Sequence, residues 1–111
     1  MSVMLRSVTT LFGALCALSA LAQSVEVPRE LWDRPRTGRA VLEQENVKQA
    51  VVSALAKPES QIVIHHGSAQ ELLLQAEELR SWLGALAIDT RRIVLRSDLA
   101  AQDPLKIEIV P

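Results

Sequence analysis

Hydrophobic side chains recur at Val47, Ala50, Val51, Ala54 and Leu55, the i, i+3, i+4, i+7, i+8 spacing that lays one apolar stripe along an α-helix. Asn46 stands at the N-cap position with Gln49 three residues on, and Pro58 blocks extension past Lys57. The spacing predicts a helix over residues 46–57. The pattern changes at "QIVIHHG", residues 61–67, where Ile62, Val63 and Ile64 are consecutive, branched and apolar. Such a run suits an interior strand with material packed above and below, and Gly67 ends it. A long amphipathic helix is predicted over residues 69–86. Leu72, Ala76, Leu79, Leu83 and Leu86 form its stripe, while Glu71, Gln75 and Glu78 lie on a more polar face. Residues 87–91 turn the chain, and "RIVLR" (92–96) reads as a second short strand. In "LKIEIVP", Leu105, Ile107 and Ile109 alternate with Lys106 and Glu108, the period of a strand with one buried face and one wet face.

A strand, a helix and a strand joined by so long a connection form a right-handed crossover between parallel strands. The predicted fold is therefore α/β, an α+β sandwich: a small mixed sheet with two principal helices on one face. Residues 23–38 hold Pro28, Pro35 and Gly38, which suits an extended N-terminal arm or short strand followed by a turn and forbids a helix across Pro35. Trp32 is the one large apolar group there, read chiefly as an anchor pinning the arm to the core and secondarily as a ligand platform. Arg34, Arg36 and Arg39 flank the turn and read as solvated charges.

Residues 1–22 change the picture of where the protein works. Arg6 precedes an apolar stretch from Leu11 to Leu21, and Ala20-Leu21-Ala22 gives the small-x-small ending of a secretory signal. A membrane span needs ~20 uninterrupted apolar residues, and here Ser7, Thr9 and Thr10 intrude. Cleavage is expected after Ala22, with periplasmic delivery and no integral membrane span afterwards. The one cysteine, Cys16, leaves with the signal, so no disulfide supports the remaining chain. A domain this small then needs most of its apolar residues in a single core, and residues 39–111 are read as one domain. With 12 basic and 13 acidic residues in the whole chain and no long run of either sign, neither nucleic acid nor a polybasic membrane contact is expected.

His65 and His66 are the candidate chemistry. Adjacent strand residues point to opposite faces, so the two cannot share a metal while extended, and carboxylates such as Glu71 or Asp98 stand at no recognised ligand spacing. A hydrolase could recruit Ser68 with His66 and an acid, but no nucleophile elbow or glycine-rich oxyanion loop accompanies them. The reading is non-enzymatic, with no cofactor and no metal. One histidine is expected to hydrogen-bond the loop at the strand end and the other to face a helix or solvent. A small hydrolase or metal protein centred on His65 and His66 stays as an alternative.

The order "LWDRPRTGRAVL", "VKQAVVSALAKPESQIVIHHG", "LQAEELRSWLGALAIDTRRIVL" and "PLKIEIV" resembles the periplasmic OmpA/MotB-like domain of bacterial envelope proteins, from about residue 30 to residue 110. "WLGALAIDTRRI" looks like that family's passage from helix to strand, and "LKIEI" like its closing strand. The resemblance implies a β-α-β-α-β-β order and non-enzymatic attachment to peptidoglycan. It matches His66 to the family histidine at the strand end, but puts Ser68 where the family has an aspartate and Gln75 where it has an arginine. With both charged grips missing, peptidoglycan binding is expected to be weak or absent. The partner expected instead is another envelope protein, such as a component of a secretion or polysaccharide-export assembly. Candidate binding residues are His65, His66, Ser68, Gln75 and Trp32, and a residual peptidoglycan-binding module is the second alternative.

Overall fold

The computed structural model describes residues 23–111; the expected signal segment lies outside the described residues. Strands β1 (Gln23–Glu26), β2 (Gln61–Gly67), β3 (Ile93–Leu99) and β4 (Lys106–Val110) form one mixed sheet in the order β1-β4-β2-β3. β2 runs parallel to β3, and β4 runs antiparallel to both β2 and β1. Helices α1 (Gly38–Glu43), α2 (Glu45–Ala56) and α3 (Gln70–Ala85) complete the chain. The expected element order and the two principal helices are present, with α1 added. Among the described residues, no helix is long and apolar enough to cross a membrane.

The core forms where the apolar faces meet. Ile62 and Ile64 of β2, Ile107 and Ile109 of β4, and Ile93 of β3 pack with Val47, Ala50, Val51 and Ala54 of α2 and with Leu72, Ala76, Leu79 and Leu83 of α3. Each aliphatic side chain fully removed from water contributes ~1.5–3 kcal/mol. Leu55, expected on the α2 stripe, is instead 47% exposed. It lies one position past Ala54, about 100° further around the helix and off the buried arc. β2 occupies the expected interior position, yet the helices cover only one of its faces. Val63 on the other face is 1% exposed without a second layer among the described residues. It is flanked in register by Val94 and Glu108.

Local hydrogen bonds explain the boundaries. Thr37 caps α1 by accepting from the Ala40 N–H at 3.0 Å. Gln44 then both ends α1, donating its N–H to Val41 O, and caps α2, its side chain accepting from the Val47 N–H at 3.0 Å. Asn46 is therefore not the cap; it sits in the first turn and donates from Nδ2 to Glu26 O at 2.8 Å, tying α2 to β1. At the far end of α2, the Arg92 guanidinium donates to Ala54 O, Lys57 O and Ser60 O, each at 2.9 Å. A cation there satisfies orphan carbonyls at the negative end of the helix. α3 ends in a Schellman motif: Ile88 N–H bonds to Leu83 O and Ala87 N–H to Gly84 O, with Ala87 at φ 79°.

The N-terminal arm forms both a strand and a turn of 3-10 helix, Arg29–Asp33, with Leu31 buried and Trp32 packed partly into the core. Because β2 lies between β3 and β4, the connection over residues 100–105 crosses the end of β2. It passes so close to Gly67 that any side chain there would meet the Ala100 and Ala101 carbonyls. A register irregularity between His66 and Gly67 marks the same place.

Candidate functional site

β2 alternates through its two histidines and sends them apart. His66 shares the helix-covered face with Ile62 and Ile64, is 4% exposed, and donates from Nδ1 to Gly67 O at 2.8 Å. That is the expected hydrogen bond at the strand end. His65 occupies the face away from the helices, opposite Arg96 of β3 and Lys106 of β4. Its Nδ1 lies 2.8 and 2.9 Å from the two carboxylate oxygens of Asp98, and its Nε2 lies 2.8 Å from Glu108 Oε1. Ionised carboxylates only accept, so the ring can bond both at once only when both nitrogens carry protons, as an imidazolium. Its side chain is 14% exposed. Burial lowers the His65 pKa, but the hydrogen bonds it donates to Glu108 and Asp98 outweigh it and raise the value above the ordinary 6.5.

The Asp98–His65–Glu108 arrangement has definite chemical limits. The ring nitrogens point away from each other, so a cation at Nδ1 would meet Asp98 and one at Nε2 would meet Glu108, with neither drawing the full set together. Among the described residues, no group of three or more His, Cys, Asp or Glu side chains is arranged to hold a metal ion. While it holds both carboxylates the ring has no free lone pair with which to act as a base. What it does is tie β3 to β4 across β2.

A second cluster joins the arm to α3. Arg36 grips Glu78 through Nε and through Nη2, the latter at 3.0 Å, and Trp82 Nε1 donates to Glu78 Oε2 at 3.0 Å. Arg36 also donates from Nη1 to Trp32 O at 3.1 Å and stacks over the Trp32 ring at 5.2 Å from its centroid. The Arg36 hydrogen bond, supported by Trp82 and opposed by burial, holds the Glu78 carboxyl below its ordinary 4.5. Beside this cluster lies a cleft of about 430 Å³ bordered by Trp32, Arg36, Gln75, Glu78, Gln102 and Leu105. Its volume is in the range of small-ligand and side-chain pockets, ~300–1,000 Å³.

The five candidate residues therefore divide among separate places. Trp32 and Gln75 border one cleft, His65 belongs to the opposite sheet face, His66 is buried, and Ser68 is exposed in the turn before α3. Sequence reasoning missed Arg36 and Glu78 as partners, because 42 residues separate them. It saw Asp98 only as a stray carboxylate. The wet-face alternation of β4 did mark Glu108, but only strand register brings it to His65. Comparison with family models, with curated protein sequences and with solved structures finds no match.

Proposed function

We propose that this chain is a non-enzymatic module of the periplasm that binds another envelope protein, as a scaffolding part of an assembly such as a secretion or polysaccharide-export system. The observation that carries the reading is the cleft between the arm and α3. Two of its charges, Arg36 and Glu78, are spent on each other, and the 57% exposed Leu74 stands beside Gln75, with Arg29, Asp33 and Glu71 completing the charged part of the lining. An apolar side chain rimmed by polar and charged groups suits a protein contact. Charged stem peptides of peptidoglycan call for charge-assisted hydrogen bonds, and neither Ser68 nor Gln75 can supply one. His66, with 4% exposure, offers little surface to a polymer.

Photo-crosslinking in cells tests the reading. A crosslinker at Leu74 should trap one envelope protein, and Trp32→Ala should abolish the adduct, whereas a crosslinker at exposed Leu55 on α2 should not trap it. Equal adducts from both positions would sink the proposed surface. In parallel, the purified protein should sediment weakly or not at all with isolated peptidoglycan. Saturable sedimentation lost on Gln75→Ala would promote the residual cell-wall reading instead.

A further inference from the structure

We propose that His65 is a pH-sensitive latch on the crossing segment 100–105: as an imidazolium it ties the end of β3 to β4 across β2, and on losing its proton it releases one of those strands and loosens the crossing. The geometry is specific. The segment leaves β3 just after Asp98 and enters β4 just before Glu108, and one imidazole binds both carboxylates. A neutral imidazole has one N–H and one lone pair. Whichever nitrogen loses its proton then faces carboxylate lone pairs, so only one of the two tethers survives.

The charges facing His65 set the direction of the latch. On β3 these are Arg96, directly opposite, and Asp98; on β4 they are Lys106, directly opposite, and Glu108. Glu26 of β1 lies beyond, in register with Lys106. The helices lie on the other face. Burial disfavours the imidazolium, but the two carboxylates are in direct hydrogen-bond contact with it and prevail. The latch is closed in acid and opens as pH rises through a His65 pKa above 6.5.

Other contacts keep the crossing from detaching altogether. Val27 N–H bonds to Leu105 O at 2.8 Å. Arg29 also reaches Gln102 O. Opening is therefore a local loosening of residues 99–105, which include Gln102 and Leu105 on the cleft wall. The device is a property of the folded chain and stands whether or not the cleft receives a protein partner.

Amide hydrogen exchange on the purified protein tests it, corrected for the intrinsic pH dependence of exchange. Between about pH 5 and about pH 9, protection of residues 99–105 should fall by roughly fivefold or more relative to α2. Long-range proton–nitrogen NMR spectra should show both His65 nitrogens protonated at the acid end. His65→Gln should hold the segment at low protection with no pH step. Should that variant not fold, Asp98→Asn keeps the shape and gives the neutral ring an amide N–H to accept from, so the step should shrink or vanish with the segment held protected. A step unchanged in Asp98→Asn, or no step at all in the unsubstituted protein, overturns the latch.

Discussion

The backbone of Gly67 lies directly under that of Ala101: a Cβ at Gly67 would sit 2.5 Å from the Ala101 carbonyl oxygen and 2.7 Å from its carbon. Those obstructing atoms are backbone and cannot swing aside. Gly67→Ala should therefore destabilise the protein by ~1–3 kcal/mol or more through overpacking. Gly38→Ala is the control, because its Cβ would meet only Trp82 Cζ3 at 4.0 Å. Urea unfolding of both variants checks this, and equal stabilities would contradict the crossing geometry.

Ala87 holds the left-handed position of the Schellman motif at φ 79°, which glycine adopts without a Cβ penalty. Ala87→Gly should stabilise the protein by ~0.5–1 kcal/mol, raising the thermal midpoint. A lowered midpoint would mean that the greater freedom of glycine in the unfolded chain outweighs the strain relieved.

Leu79 and Leu83 are 0% and 1% exposed at the centre of the α3 interface. Truncating either to Ala should cost ~2–5 kcal/mol, the spread depending on how far the cavity collapses. Leu55→Ala, on the exposed side of α2, should stay within ~0.5 kcal/mol. Chemical denaturation of the three variants separates buried stripe from surface.

Stability should fall on both sides of a maximum as pH is changed. Glu78 has a folded pKa below 4.5, so its contribution is present above that value and is lost as pH falls through the folded one. Asp89, held at about 2 chiefly by its hydrogen bond with Arg91, acts in the same direction nearer the acid extreme. His65 has a folded pKa above 6.5, so its contribution is complete below 6.5 and is lost as pH rises through the folded value. Thermal midpoints recorded across pH should show both limbs. Arg36→Met should flatten the acid limb and His65→Gln the alkaline one.

Much of the fold was legible in the chain. The α3 stripe at Leu72, Ala76, Leu79 and Leu83 and the alternation at Leu105, Ile107 and Ile109 report burial directly, because a regular element turns sequence spacing into a face. The short helix α1 escaped notice because it buries only Val41, too little to establish a period. The helix break was also obscure, since Gln44 caps both sides of it through backbone and side chain together, without a Gly or Pro to mark the place.

The sequence by itself determined that His65 and His66 face opposite ways and that one face of β4 is the more buried, both consequences of period-two geometry, and that β2 is interior, a consequence of its unbroken apolar run. Tertiary structure alone decided which charges meet. Asp98 is 33 residues from His65, Glu108 is 43 away, and Glu78 lies 42 residues from Arg36. Their meeting depends on strand order, on parallel and antiparallel register, and on the packing of the arm against α3. No local propensity encodes those relations, because they arise only when the apolar faces of distant segments close on one core.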